Sequence, residues 1–311
     1  MTTDLRQPDW FIAGGGAIGL ALASRLRLAG NTVALLGREA DSDPVEFRYH
    51  DLAGEVHDVT VPLIRPGTTH RPQRLLLTTK AYSVNEALRT WGASLASSGF
   101  LLYMQNGIVD HEVAGLPEGL RHLVVVNSGF TAYRDRCGDV RQTACSEVLV
   151  GEDGHSAPDA GSGLGRDLDR LRSAGLELRW VDDIERRRWM KLAVNAVINP
   201  LSVIHDCRNG EIPEAEGADD LIRGMCEESS RALDRLGIEF DAEAIRLEVV
   251  RVARHTARNY SSMHQDHRRG AGSNELDYIN LPLLRVGERH GLDMSRHRDV
   301  HDRVRAMFAA M

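Results

Sequence analysis

The stretch Trp10-Phe-Ile-Ala-Gly-Gly-Gly-Ala-Ile-Gly-Leu-Ala-Leu-Ala-Ser-Arg-Leu-Arg-Leu-Ala29, followed by Gly30 and the apolar run Thr32-Val-Ala-Leu-Leu36, decides the fold of the first half of this chain. It contains a short apolar run, a glycine turn, a segment with helical periodicity and a second apolar run. Because Gly30 ends the helical pattern just before the second run, the order predicts strand, turn, helix and strand. This alternation is typical of a parallel sheet in an α/β fold.

The glycine turn carries a motif. Gly14, Gly16 and Gly19 match the spacing G-x-G-x-x-G between a predicted strand and a predicted helix. In that setting the first glycine permits the tight turn, the second lets a pyrophosphate approach the backbone, and the third allows close helix packing. We therefore predict that this turn binds a dinucleotide, with the contacts made by Gly14, Gly15, Gly16, Ala17, Ile18 and Gly19. The alternative is a glycine turn with a purely structural role.

The residue after the second strand indicates which dinucleotide is bound. An NAD-preferring site usually offers Asp or Glu to the ribose hydroxyls there, whereas this chain has Gly37-Arg38. A guanidinium can pair with a 2′-phosphate through its planar fork, so Arg38 predicts NADP(H). Glu39 follows directly and is the feature against this interpretation. The alternative for Arg38 is a surface charge.

Two further apolar runs end in polar residues. Arg74-Leu-Leu-Leu-Thr-Thr79 leads to Lys80, and Phe100-Leu-Leu-Tyr-Met104 leads to Gln105-Asn106-Gly107. In an open parallel sheet, ligands bind beyond the carboxyl ends of the strands, so we expect Lys80 and Asn106 to contact a cofactor or substrate. The alternative for each is a turn residue or a surface charge. The other elements predicted in this half are a hairpin over Phe47–Val61, strands over Arg121–Val126 and Leu176–Val181, an exposed loop at 151–165 and a helix over Leu168–Ala174.

A polar stripe marks the run Trp189-Met-Lys-Leu-Ala-Val-Asn-Ala-Val-Ile-Asn-Pro200. Lys191, Asn195 and Asn199 recur every four residues, so on a helix they lie on one face, while apolar residues cover most of the rest. Such a helix should be buried, and buried ammonium and amide groups need partners. We interpret the stripe as one wall of a site for a polar, anionic ligand. The alternative is a satisfied polar seam between packed helices.

Beyond Asp183 the strand signals end. The remaining helical patterns cover Asp219–Leu236, Ala242–Thr256, Glu275–His290 and Arg296–Ala310. We therefore predict an N-terminal Rossmann-type domain, a doubly wound parallel sheet of the α/β class, at residues 1–183. A C-terminal all-helical domain that carries the substrate and catalytic residues follows at 184–311.

Composition excludes several classes of function. The net charge of −7 argues against nonspecific nucleic-acid binding, which needs basic patches. No run approaches the roughly 18 apolar residues of a membrane span, and the N-terminus Met1–Asp9 lacks the layout of a signal peptide. The four cysteines show no C-x-x-C spacing, so we expect reduced thiols, a cytoplasmic protein and no metal site.

These motifs together resemble the ketopantoate reductase family, the NADPH-dependent 2-dehydropantoate 2-reductases. The resemblance covers nearly the whole chain, and its most specific parts are the Lys-Asn-Asn-Pro run and the Ser-Ser-Met segment. It rests on Gly14–Gly19, Thr79-Lys-Ala81, Gln105-Asn-Gly107, Lys191–Leu201, Asn209-Gly210, Ser261-Ser-Met263 with Gln265-Asp266, and Glu275–Asn280.

The resemblance implies a reaction and a set of roles. The reaction is the reduction of 2-dehydropantoate to pantoate, a step of pantothenate and coenzyme A biosynthesis, with Lys191 donating a proton to the carbonyl oxygen. The implied substrate-binding residues are Asn106, Asn195, Asn199, Asn209, Asn259, Ser261 and Ser262. Lys80, Asn106 and Glu275 are implied as cofactor or active-site contacts. If a homodimer forms, we expect it to use the helical domain.

The chemistry of the residues agrees with that role. Hydride addition to a ketone builds negative charge on oxygen, so a positioned cation such as Lys191 stabilises the transition state more than the ground state. Partial burial is expected to lower the pKa of this lysine and make it a better proton donor near neutral pH.

The chain also departs from the family pattern. The spacing from Ser262 to Glu275 is one residue longer than usual, and His264 and the segment His267–Asn274 are untypical. A relative that reduces a different 2-oxo acid therefore remains a second hypothesis. A third, from another class, is a non-catalytic NADP(H)-binding sensor.

Overall fold

The computed structural model describes residues 7–38, 43–109, 115–271 and 274–310. Most of the N-terminal stretch Met1–Asp9, Glu39, and residues 272 and 273 of the untypical segment lie outside the described residues. The expectations for them therefore stay predictions.

The strands of the described residues form two sheets. They are β1 (Trp10–Ala13), β2 (Val33–Leu36), β3 (Val45–His50), β4 (Val56–Val61), β5 (Leu63–Ile64), β6 (Arg74–Leu77), β7 (Phe100–Tyr103), β8 (Arg121–Val126), β9 (Thr131–Arg134), β10 (Val140–Ala144), β11 (Val148–Gly151) and β12 (Leu178–Trp180). The larger sheet has the order β12-β11-β8-β7-β6-β1-β2-β5, and the smaller has the order β4-β3-β10-β9.

The helices of the described residues fall mostly after residue 183. They are α1 (Ala17–Leu28), α2 (Val84–Trp91), α3 (Gly163–Ser173), α4 (Ile184–Ile204), α5 (Ala218–Asp234), α6 (Ala242–His255), α7 (Ser262–Arg268), α8 (Leu276–Ile279), α9 (Leu281–His290) and α10 (Ser295–Ala309). The predicted α/β class, with an N-terminal parallel sheet and a C-terminal helical region, is confirmed.

The larger sheet is parallel from β5 to β8, while β11 runs antiparallel to β8. Trp10, Phe11 and Ile12 in β1 are fully buried, as expected for a central strand covered on both faces. The predicted run Trp10–Ala13 is therefore apolar throughout and does not alternate. The carboxyl ends of β1, β2, β6 and β7 share one edge, which places the glycine turn, Arg38 and Lys80 at the same end of the sheet.

The smaller sheet was only half predicted. Its β3–β4 hairpin covers the predicted Phe47–Val61 hairpin and begins two residues earlier, at Val45, and it turns at Ala53-Gly54, where Gly54 has φ +88°. The strands β9 and β10 have no sequence prediction, because Thr131-Ala-Tyr-Arg134 is short, polar and mostly exposed. Their pairing depends on β10 meeting β3, which is far away in the sequence.

The stretch 151–165 differs in part from the predicted exposed loop. Glu152 within it is buried, and its carboxylate is paired with the guanidinium of Arg121 and accepts a hydrogen bond from the His122 amide. The helix α3 already begins at Gly163, because the hydroxyl of Ser162 caps it by accepting from Gly165 N. The pairing of Glu152 with Arg121 therefore orders the start of the stretch 151–165, and the Ser162 cap orders its end.

By its internal contacts the chain divides into two compact units. The first contains residues up to Gln105 and residues Val109–Glu185, and the second contains Asn106–Ile108 and Arg186–Met311. In the second unit α4 contributes a continuous set of buried side chains to the core, among them Leu192, Val194, Val197 and Ile198. A helix that is apolar around most of its circumference needs such an all-round packing environment.

Neither a membrane-spanning helix nor a metal-binding cluster is present among the described residues. None of the helices there has both the length and the apolar character needed to cross a membrane. No group of three or more His, Cys, Asp or Glu side chains in that part of the chain is arranged to hold a metal ion.

Candidate active site

The glycine turn after β1 is shaped by close backbone contacts in the first unit. Gly14 has φ +122°, and a Cβ there would lie 2.6 Å from the amide nitrogen of Thr79. A Cβ on Gly19 would lie 1.9 Å from the carbonyl oxygen of Gly14. Both positions therefore require glycine, because any side chain would push the turn, α1 and the end of β6 apart.

The middle of the turn is open instead. A Cβ on Gly15 or Gly16 would meet no atom within 4 Å. Gly16 is the N-cap of α1 and no side chain caps that helix, so the N–H groups of its first turn point to the space that these glycines leave. Backbone N–H groups and the positive end of a helix bind phosphate well. The turn therefore fits the pyrophosphate of a dinucleotide.

Thr78 and Thr79, which follow β6, lie beside the glycine turn. Thr78 Oγ1 donates to the carbonyl oxygens of Ala13 and Gly14, at 3.1 and 3.0 Å, and so ties the glycine turn to β6. Thr79 Oγ1 is buried and has no hydrogen-bond partner among the described residues. The motifs in the sequence predict no site role for either threonine, although the pair Thr78-Thr79 ends a predicted strand and Thr79 belongs to the motif Thr79-Lys-Ala81. Lys80, which was predicted, follows at an exposed position, and Arg38 is exposed after β2.

In the second unit, Lys191 of α4 is the centre of a polar cluster. Its Nζ donates a hydrogen bond of 2.9 Å to Asn106 Oδ1. Burial lowers the pKa of Lys191 from its ordinary 10.5 to about 8, and the charge of Glu275 acts in the opposite direction and raises that pKa. The ammonium is thus close to the range in which it can give up a proton at neutral pH.

Asn106 reaches Lys191 because its loop is held by α8. Gly107 has φ +81°, and a Cβ there would lie 2.3 Å from the carbonyl oxygen of Tyr278. The amide of Ile108 donates to that same oxygen at 2.9 Å. Although Asn106 follows β7, a strand of the first unit, it therefore belongs to the second unit, which contains the helices from α4 onward.

Glu275 stands directly before α8 and is buried, with an exposed fraction of 5%. Its carbonyl accepts hydrogen bonds from the amides of Tyr278 and Ile279. The structure thus brings together three predicted residues from separate parts of the sequence, namely Lys191, Asn106 and Glu275.

The side-chain amides of the other two residues of the polar stripe are not engaged within the part of the chain that the structure describes. Asn195 is partly buried and Asn199 is buried. Among the described residues, neither side-chain amide takes part in a hydrogen bond, while the backbone carbonyl of Asn199 accepts from Ser202 Oγ at 2.7 Å. Amides in this condition are suited to receive polar groups of a ligand.

Asn209 is buried and fixed from two sides. Its amide N–H donates to the carbonyl of Asn259 at 2.9 Å, and its Nδ2 donates to Thr256 Oγ1 at 2.9 Å. Its Oδ1 is buried without a hydrogen-bond partner in the described part of the chain. Asn259, which was predicted to bind substrate, has an exposed side chain and contributes this backbone carbonyl.

The two predicted serines differ in their surroundings. Ser261 is buried, its Oγ accepts from His264 N at 3.1 Å as the N-cap of α7, and it shares a hydrogen bond of 2.6 Å with Ser202 Oγ. Ser262 is exposed at the first turn of α7, and within the described ranges no hydrogen bond engages its hydroxyl. Among the residues that the structure places, the hydroxyl of Ser261 is therefore hydrogen-bonded to other protein groups, whereas that of Ser262 is not.

The untypical His264 has a structural explanation. Its ring is fully buried, stacks on Tyr260 with ring centroids 4.5 Å apart, and is hydrogen-bonded to Asp206 Oδ1 at 2.8 Å. This hydrogen bond lowers the pKa of the Asp206 carboxyl. His264 thus ties α7 to the end of α4, where Asp206 has the positive φ of +46°.

Two family profiles match the chain. The profile described as Ketopantoate reductase PanE/ApbA covers residues 10–154, and the profile of the ketopantoate reductase PanE/ApbA C terminal covers residues 183–308. A 2-dehydropantoate 2-reductase from Vibrio cholerae serotype O1 is 32% identical over 296 residues, which are 90% of this chain and 91% of that protein.

The chain belongs to the ketopantoate reductase family. The resemblance inferred from the motifs is confirmed, and with it the class of an oxidoreductase.

Solved structures of related fold extend over nearly the whole chain. The ternary structure of D-mandelate dehydrogenase with NADH and anilino(oxo)acetate aligns with a TM-score of 0.83 at 21% identity, covering 97% of this chain and 98% of the other. A dimeric ketopantoate reductase from Staphylococcus aureus aligns with a TM-score of 0.79 at 16% identity, covering 97% and 99%. At these identities the likeness concerns the fold alone.

Proposed function

We propose that this member of the family reduces the C2 ketone of 2-dehydropantoate to pantoate, with NADPH as the reductant and Lys191 as the proton donor. The observation that carries the proposal is the hydrogen bond from Lys191 to Asn106 beside the buried Glu275, together with the lowered pKa of that lysine. The substrate class follows from membership of the family and from the 2-dehydropantoate 2-reductase relative.

The cofactor, when bound, supplies a hydride to C2 of the 2-oxo acid. Charge then develops on the C2 oxygen, and Lys191 stabilises it and transfers a proton to it, which completes the alcohol. Asn106 holds the ammonium in place through its Oδ1. The negative charge of Glu275 keeps a larger fraction of Lys191 protonated than burial alone would allow.

The side-chain amide and hydroxyl atoms that have no hydrogen-bond partner among the described residues are proposed to hold the substrate. Asn195 and Asn199 lie on the same face of α4 as Lys191, and they offer donors and acceptors without adding charge. Asn209 offers its buried Oδ1 as an acceptor, and Ser262 offers an exposed hydroxyl. Ser261 and Asn259 are proposed to act indirectly, by fixing α7 and Asn209.

NADP(H) is proposed over NAD(H) because Arg38 stands where the ribose of a bound dinucleotide would be recognised. The residues of the glycine turn fit the pyrophosphate, Thr79 lies beside that turn, and Lys80 follows Thr79 in the chain. A homodimer through the helical domain remains part of the proposal, in line with the dimeric relative from Staphylococcus aureus.

The test is a measurement of NADPH oxidation with 2-dehydropantoate, its analogue 3,3-dimethyl-2-oxobutanoate and phenylglyoxylate, repeated with NADH. We expect the highest kcat/KM for 2-dehydropantoate with NADPH. Turnover that favours another 2-oxo acid would retain the chemistry and replace the substrate. Binding of NADPH without turnover of any 2-oxo acid would instead support the non-catalytic sensor.

A further inference from the structure

Pro200 lies inside α4 and is buried, although a proline in a helix interior cannot donate the backbone hydrogen bond to the residue four positions earlier. The residue that loses its partner is Ala196, whose carbonyl lies on the turn between Asn195 and Asn199. Ala196 is fully buried, and an unpaired carbonyl there would be costly because water cannot replace the missing donor.

Asn280 supplies the missing donor. Its Nδ2 donates a hydrogen bond of 3.0 Å to the carbonyl oxygen of Ala196, and the whole residue is buried with no exposed surface. The side-chain amide of a residue 84 positions away thus takes the place of the N–H that Pro200 lacks.

We infer that Asn280 is a positioning residue of the reaction: by replacing the N–H lost at Pro200, it fixes the turn of α4 that presents Asn195 and Asn199 to the substrate. The inference rests on the proposed function, because it assigns those two asparagines to the substrate.

The place of Asn280 in the chain supports a role in the site beyond general packing. The segment Glu275–Asn280 also contains Glu275, whose charge raises the pKa of Lys191, and Tyr278, whose carbonyl accepts from Ile108 and so holds the loop of Asn106. This short segment therefore makes two contacts. Tyr278 holds the loop whose Asn106 contacts Lys191, and Asn280 holds the turn of α4 that carries Asn195 and Asn199.

The test uses the fact that Pro200→Ala restores a backbone N–H to the carbonyl of Ala196. We expect Asn280→Ala to lower kcat/KM for 2-dehydropantoate by about tenfold or more, mainly through a higher substrate KM, while the KM for NADPH changes less than about twofold. In the Pro200→Ala background the same Asn280→Ala change should cost less than about threefold, because the helix then supplies its own donor.

A matched control is Asn31→Ala. Asn31 Nδ2 also donates to a backbone carbonyl, that of Leu26 at 3.1 Å, but it lies in the first unit. This variant is expected to lower thermal stability and to leave the substrate KM within about twofold of the wild type. Equal losses of kcat/KM from Asn280→Ala in the wild-type and Pro200→Ala backgrounds would overturn the inference.

Two further outcomes are also decisive. If Asn280→Ala does not fold, a folded and active Pro200→Ala/Asn280→Ala double variant supports the inference, and an unfolded one contradicts it. If the folded wild type reduces no 2-oxo acid, the proposed function fails, and the assignment of Asn280 to the reaction fails with it. The melting temperatures of the wild type, Asn280→Ala, Pro200→Ala and the double variant would then show separately whether Asn280 replaces the missing N–H. It does so if Asn280→Ala lowers the melting temperature less in the Pro200→Ala background than in the wild type.

Discussion

Lys191 Nζ and Asn106 Oδ1 are joined by a hydrogen bond of 2.9 Å across 85 positions of sequence. One residue lies on a long buried helix and the other in a loop that follows a strand. Their contact exists because the loop of Asn106 is docked on Tyr278 through Gly107 and Ile108. The pair therefore defines the centre of the proposed active site.

Replacing Lys191 by Ala should lower kcat by at least about 10²-fold, because the developing oxyanion loses its proton donor. The matched variant is Lys80→Ala, which should chiefly raise the KM for NADPH, since Lys80 follows β6 at the sheet edge that carries the glycine turn. Steady-state kinetics of both variants rank the two lysines. A Lys191→Ala enzyme with near-normal kcat would remove this lysine from the mechanism.

The pH dependence of kcat/KM should report the pKa of Lys191. The active form is protonated, so the rate should fall as the pH rises through about 8, the pKa that burial gives this group. Glu275→Gln removes the negative charge that raises this pKa, so the fall in rate should move to lower pH. A profile from about pH 6 to 10 on both proteins checks the direction, and a shift to higher pH would contradict the assignment.

Arg38→Gln should reduce the preference for NADPH over NADH. We expect the kcat/KM for NADPH to fall by about 10- to 100-fold and that for NADH to change little, because a charged hydrogen bond to the 2′-phosphate is lost. Arg89→Gln, at an exposed position of α2, is the control for a general loss of surface charge. Equal losses with both cofactors would show that Arg38 does not recognise the phosphate.

Two alanine substitutions in the glycine turn should affect different properties, one the stability of the fold and the other the binding of NADPH. Gly19→Ala places a Cβ 1.9 Å from the Gly14 carbonyl, so it should lower the free energy of unfolding by about 1–3 kcal/mol or more. Gly16→Ala meets no protein atom, so its melting temperature should stay close to the wild type while the KM for NADPH rises. Thermal unfolding and NADPH titration of both variants test these two predictions. Unchanged NADPH binding in Gly16→Ala would contradict the role of this glycine in cofactor binding.

Local sequence patterns were sufficient to predict elements whose burial repeats regularly along the chain. The order of β1, α1 and β2 follows from two apolar runs around a glycine turn, because a central parallel strand is covered on both faces. The polar stripe of α4 was likewise visible as a spacing of four residues. By contrast, β9 and β10 were not predicted, because their polar residues become strands only by pairing along a distant hairpin.

The sequence by itself determined the α/β class, the dinucleotide motif and the membership of a reductase family, since each depends on residue types at fixed local spacings. Only the tertiary structure decided that Asn106 belongs with the helical unit, that the hydroxyl of Ser261 is occupied by Ser202 and His264, and that Asn280 replaces the hydrogen bond lost at Pro200. Each of these is a single hydrogen-bonded or packed contact between residues far apart in the chain. No periodicity encodes such a contact, because it exists only once the elements are packed.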